Sequence, residues 1–141
     1  MIPNTLQNLI DLQPRAKKRT NEELAIEQLK IVGIDTASEF AIFYRQYMPG
    51  SLDSKACADT LCDIAEPTNE ILEGTEFIHE MWELPGIYVC FSSLQSEGGF
   101  LLNTENGMIW DFDLGQHAAF MAGEIKPRWN GFFEFLEWYL S

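Results

Sequence analysis

Three apolar runs follow one another closely after Pro85-Gly86, and they constrain the fold of this chain more tightly than anything else in it. Residues 87–91 form a continuous run with β-branched and aromatic side chains. Residues 99–103 come after Ser96-Glu97-Gly98, and residues 108–112 after Thr104-Glu105-Asn106-Gly107. Short apolar runs bounded by turn residues read as strands, and Asn-Gly is the strongest short hairpin signal. The segment predicts an antiparallel meander.

Helical patterns surround it. Leu6, Leu9 and Ile10 predict a short helix over residues 4–12, followed by a polar, basic connection to residue 19. Thr20-Asn21-Glu22-Glu23 has the spacing of a capping box, in which Thr20 accepts from the backbone of Glu23. Leu24, Ile26, Leu29, Ile31 and Val32 then supply an apolar face, and Gly33 a stop. Thr36-Ala37-Ser38-Glu39 repeats the box ahead of an aromatic stripe, Phe40, Phe43, Tyr44 and Tyr47, which Pro49-Gly50 ends. Residues 51–66 suit a loop or a short strand. Pro67 suits the first turn of a helix over 68–82, with Gly74 as its weak point. Residues 114–122 are ambiguous. Residues 129–140 predict a closing helix with Phe132, Phe133, Phe135, Leu136 and Tyr139 inward. Helices, then strands, then a helix make an α+β domain. At 141 residues, with 46% hydrophobic and 13% aromatic side chains, the chain is one domain with a substantial core. Its first 19 residues are an N-terminal helix and basic connection.

Charge is distributed unevenly. Between Lys55 and Lys126 lie 70 residues with 13 Asp and Glu and not one Lys or Arg. Four of the nine bases (Arg15, Lys17, Lys18, Arg19) cluster near the N-terminus, where they read as a solvated linker or an internal mate for the acidic body. From residue 20 onward, 21 acids face five bases, a net of −16. Such a body repels nucleic acid and anionic membranes and attracts basic proteins. No run of 18 apolar residues is present to span a membrane, and no signal-like segment opens the chain. Cys57, Cys62 and Cys90 follow no disulfide scaffold and read as free thiols in a reducing cytoplasm.

Within the base-free tract, Asp59, Asp63, Glu66, Glu70, Glu73, Glu76, Glu80 and Glu83 are spaced three or four apart. On one continuous helix they would form a single stripe opposite Ile71, Thr75, Ile78 and Trp82. Like charges at this spacing cost a helix roughly 0.2–0.5 kcal/mol per pair. The plain reading is a solvated face. The functional reading is a carboxylate row that meets a partner's Lys and Arg, and the absence of interleaved bases favours it. Pro67 and Gly74 argue against one unbroken helix. Asp111 and Asp113 share one face of a predicted strand by alternation. They are either its solvent side or an addition to the patch. Of the four tryptophans, Trp82 beside Glu80 and Glu83 is the candidate interface anchor. The expected partner-binding set is therefore Glu70, Glu73, Glu76, Glu80, Trp82, Glu83, Asp111 and Asp113.

No metal, cofactor or catalytic group is expected. His79 and His117 are the only histidines, and there is no Cys-x-x-Cys or His-x-x-x-His pair. No nucleophile elbow or phosphate-binding loop occurs.

Three segments carry a family resemblance. They are residues 33–50 with the aromatic stripe, the runs 87–91 and 98–103 around a Gly-rich turn, and Trp129-Asn130-Gly131-Phe132-Phe133-Glu134-Phe135-Leu136. In this order they resemble the SUKH superfamily, the Smi/Knr-type proteins, many of them bacterial immunity proteins. The family's Leu-Pro and Asn-Gly around its early helix are here Ile34-Asp35 and Pro49-Gly50. The resemblance implies a central sheet flanked by helices and a role in binding and neutralising a toxin, often a nuclease. It brings no catalytic residues. Two rival readings stand beside it: a regulatory scaffold of the same fold binding another protein or a small ligand, and an enzyme.

Overall fold

The computed structural model describes residues 1–94 and 97–141. Its elements in chain order are α1 (Asn4–Asp11), β1 (Lys17–Lys18), α2 (Glu22–Val32), α3 (Glu39–Gln46), β2 (Tyr47–Met48), α4 (Glu70–Glu80), β3 (Tyr88–Cys90), β4 (Gly98–Asn103), β5 (Ile109–Asp113), α5 (His117–Met121) and α6 (Phe132–Leu140). The fold is α+β, with a three-stranded antiparallel sheet in the order β3-β4-β5 and a two-stranded ribbon β1-β2.

The meander is where the sequence puts it. Tyr88 faces Asn103, and Leu101 lies between Cys90 and Trp110. Gly107 takes φ +77° in the β4–β5 turn, a conformation that favours glycine. Gly98, expected in the turn ahead of the strand, instead begins β4, and Ser96 lies outside the described residues. A Cβ on Gly98 would come within 2.5 Å of the Phe112 carbonyl oxygen, so close strand approach explains the glycine there.

Strand alternation sends the sheet's side chains into two cores. Phe91, Phe100, Leu102 and Ile109 join the larger one with α1, α2, α3 and α6. Cys90, Leu101, Trp110 and Phe112 join the smaller one with Ile78 of α4 and Phe120 of α5. The larger core is dense in rings. Phe40 stacks on Tyr44 at 4.3 Å between centroids, and Phe132 meets Phe40 edge-on at 4.7 Å.

Several boundaries differ from the sequence reading. The cap of α2 is Asn21, whose side chain accepts from Leu24, and not Thr20. The cap of α3 is Ser38, accepting from Ala41, and not Thr36. There Asp35 accepts from the Ala37 amide at 2.9 Å, so a local turn takes residues that a longer helix would need. Tyr47 is buried but extended (φ −132°, ψ 151°) and starts β2, so the helix ends before Pro49. The basic connection carries β1, which pairs with β2. The closing helix begins at Phe132. Trp129 instead bridges to Ile109, and Glu39 of α3 accepts from the Phe133 amide at 3.0 Å. The ambiguous stretch becomes a 3-10 turn at Leu114–Gln116 running into α5.

Residues 52–69 hold no helix and touch the sheet by one bridge, Leu61 to Ser92. Core groups pin them. Tyr44 donates to the Cys62 carbonyl at 3.0 Å, and Tyr139 to the Asp59 carbonyl at 2.8 Å. Arg19, fully buried, donates to both carboxylate oxygens of Asp63 (2.6 and 3.2 Å) and to the carbonyls of Tyr44 and Tyr47. Asp63 also accepts from the amides of Ala65 and Glu66.

Candidate protein-binding face

The eight acids at helical spacing do not form one stripe. Asp59, Asp63 and Glu66 precede α4, the Glu66–Pro67 peptide is cis, and Pro67 lies outside the helix. Asp63 is buried against Arg19. Asp59 lies near Asp111, and partial burial together with that carboxylate pushes its acid above the usual range. The remaining glutamates, from Glu70 on, are the ones the helix and its C-terminal turn present.

Asn69 starts α4. Its side-chain oxygen accepts from the Leu72 amide at 2.8 Å, and its Nδ2 donates to Gln28 of α2. Glu70 and Glu73 occupy the first turn, where the helix dipole favours anions. Ile71, Thr75 and Ile78 face inward, and Thr75 Oγ1 accepts from the Cys90 amide at 3.1 Å, locking the helix to β3. Beyond the last turn Glu83 takes φ +54°, and the Leu84 amide returns to the Ile78 carbonyl. The two histidines clamp this end. His79 Nε2 donates to the Tyr88 carbonyl at 2.8 Å, and His117 Nε2 donates to the Trp82 carbonyl at 2.6 Å.

With its inner side fixed, α4 exposes Glu70, Glu73, Glu76 and Glu80, and Glu83 follows on the turn. Glu70 accepts from the Asp63 amide. Among the described residues, Glu73, Glu76, Glu80 and Glu83 make no ion pair; the four pairs present involve other acids. Two apolar side chains stand open beside them: Phe77 is 41% exposed and Met81 66%. Phe77 was legible as an apolar residue off the buried helix face, one turn after Glu73 and one before Glu80. Trp82 is half-buried, with its ring 5.7 Å from Phe77 and 5.6 Å from Phe112.

The structure does not join Asp111 and Asp113 to this face. Both are exposed on β5, on the side opposite Trp110 and Phe112, which pack with Ile78 and Trp82. Both are also engaged. Asp111 pairs with Arg128 at 2.9 Å, and that guanidinium lies over Trp129 and Trp138. Asp113 accepts from the Gly115 amide and caps the 3-10 turn.

Glu76 and His79 stand three residues apart on α4, and His79 Nε2 is bound to the Tyr88 carbonyl. Among the described residues, no three His, Cys, Asp or Glu side chains gather as metal ligands would. The three thiols are free. Burial first, with help from nearby acids, pushes Cys62 up to about 12, and burial pushes Cys90 to about 11. A cleft of about 270 Å³ opens elsewhere, between the start of α3, the β4–β5 turn and the start of α6. Asp35, Glu39 and Glu105 line it, and neither histidine does. No helix among the described residues is long and apolar enough to cross a membrane. Set against known proteins, the chain matches no family model, no curated protein and no solved structure.

Proposed function

We propose that this chain is a bacterial immunity or antitoxin-type protein that binds a basic toxin, a nuclease in its sharpest form, and neutralises it in the cytoplasm through the acidic face of α4. The observation that carries the reading is the row Glu73, Glu76, Glu80 and Glu83. These carboxylates are exposed, have no ion-pair partner among the described residues, and sit in a 70-residue tract without Lys or Arg. A nuclease lines its substrate groove with Lys and Arg. A carboxylate row entering that groove takes the place of phosphates and excludes the nucleic acid. The resemblance of residues 33–50, 87–91, 98–103 and 129–136 to the SUKH superfamily supports the same reading, and the α+β architecture agrees with it. No cofactor takes part.

The test is a pull-down from the source cells, with the captured protein identified by mass. A basic toxin is the expected catch. Its association should slow as salt rises, because exposed charges are screened over ~10 Å at 0.1 M. An association rate unchanged between low and high salt removes steering by the acidic face.

A second reading, a scaffold that holds a small ligand, has one observation in its favour: the cleft beside Asp35, Glu39 and Glu105. It predicts that cell metabolites shift the NMR signals of residues 104–107 while α4 stays silent.

A further inference from the structure

We infer that Phe77, Met81 and the edge of Trp82 form the apolar anchor of the acidic face, and that they receive an amphipathic helix carrying Lys or Arg along one side of an apolar ridge. The inference rests on the acidic-face reading and adds the shape and chemistry of what binds there.

Phe77 and Met81 are four residues apart, so they adjoin on the outer side of α4. They leave 41% and 66% of their surface open. Phe77 touches Trp82 edge-on, and Trp82 in turn meets Phe112 in the smaller core. The patch is thus continuous with packed protein and firmly seated. Large apolar groups held open on a rigid support, with a rim of charge, are the anatomy of an interface centre. Methionine at its edge adapts to the shape of what docks.

Charge around the patch is one-sided. The carboxylates flank the patch on one side only. Glu73 lies one turn before Phe77, Glu80 one turn after, and Glu76 between them. Across from them, Thr75 and Ile78 turn into the fold. A ligand that is basic throughout would meet apolar surface where it needs acid. A ligand with an apolar ridge and bases along one flank satisfies both.

Glu73 and Glu80 are separated by two helical turns, ~10.5 Å of rise. Bases at i, i+3 or i+4 and i+7 of a partner helix keep the same spacing on one face. In an extended strand, residues ~10 Å apart are three positions apart and point to opposite sides. A helix therefore fits the row where a strand does not.

The test uses two probes on the isotopically labelled full chain. One is a short helical peptide of leucine and lysine with leucines at helical spacing. The other is an oligolysine of equal charge. The leucine-lysine peptide should bind at least ~10-fold more tightly, with NMR shifts centred on residues 73–83. Phe77→Ser and Met81→Ser should each bring it towards the oligolysine affinity. Met81 is the safer site for the fold, being the more exposed, and a melting curve accompanies each variant. Equal affinities for the two peptides, both lost when Glu73, Glu76 and Glu80 become Lys, overturn the anchor and leave the acidic face standing. If neither peptide's affinity responds to those Lys substitutions, the acidic-face reading fails and the anchor with it.

Discussion

Asp63 and Glu73 belong to the same run of acids spaced three and four apart, yet the protein uses them in opposite ways. Asp63 is almost fully buried and grips Arg19 through both oxygens, while two backbone amides complete its shell. Through Arg19, which follows β1, it ties the irregular segment before α4 to the C-terminal end of α3 and to β2. Glu73 and its neighbours on α4 project into solvent without an ion-pair partner among the described residues. A buried carboxylate is retained only with full compensation, because desolvation costs it several kcal/mol. An exposed one costs little and attracts cations at long range. The same residue type is structural in one region and available for recognition in the other.

The largest expected effect probes the buried member. Arg19→Met leaves Asp63 without its counter-ion and strips the Tyr44 and Tyr47 carbonyls of a donor. Urea unfolding should show a loss of about 3–5 kcal/mol. A loss below ~1 kcal/mol would erase the contrast with the exposed glutamates. The double variant Arg19→Met/Asp63→Leu should recover only part, since the amides of Ala65 and Glu66 and both carbonyls stay orphaned.

The neighbourhood of Asp63 should also respond to alkali. Cys62 is raised from 9.0 to about 12 and Cys90 from 9.0 to about 11, both mainly by burial. The folded chain keeps these protons after the unfolded chain has lost them. Their contribution to stability is complete below pH 9 and declines as pH rises from 9 towards 12. Unfolding curves at pH 7, 9 and 10.5 check this; replacing both cysteines with alanine should lessen the decline, and the remainder belongs to Tyr44 and Tyr139, which burial also raises.

Between the extremes lies the cap that holds α4 in place. Asn69→Ala removes the acceptor for Leu72 and the link to Gln28, and should cost about 1 kcal/mol. An unchanged melting temperature would mean that packing of Ile71 and Ile78 alone positions the acidic face.

The smallest effect on stability belongs to the exposed row. Changing Glu73, Glu76, Glu80 and Glu83 to Lys should move stability by about 0.5 kcal/mol or less per site. Partner binding should nevertheless be abolished, because cations would then face cations. Reversing Glu22, Glu23 and Glu27 on α2 is the control. Equal loss of affinity in both sets would assign the effect to net charge and not to the α4 face. Unfolding of the α4 set would make those glutamates structural, like Asp63.

Much of the architecture was legible because it depends on short-range pattern. Short apolar runs bounded by turn residues, with Asn106-Gly107 between the last two, produce the meander, and helical apolar faces produce α1 to α4 and α6. The caps were misplaced by one or two residues for a reason equally local. Thr20 and Asn21, or Thr36 and Ser38, compete to start the same helix, each with its own amide three residues on, and small turns such as that at Asp35 decide between them. The functional face was half legible. Spacing picked out Glu70 to Glu83 but ran on into Asp59, Asp63 and Glu66, because period alone is blind to where a helix starts.

By itself, the sequence determined that this chain is an α+β domain with an acidic, base-free tract, since composition and period survive any arrangement of the elements. Which acids are free was decided only by tertiary structure. Arg19 reaches Asp63 across 44 positions, Arg128 reaches Asp111 across 17, and α4 turns Phe77 outward because Ile71, Thr75 and Ile78 find the sheet. Burial and pairing of a charge depend on what packs against it, and those neighbours come from parts of the chain that no local pattern connects.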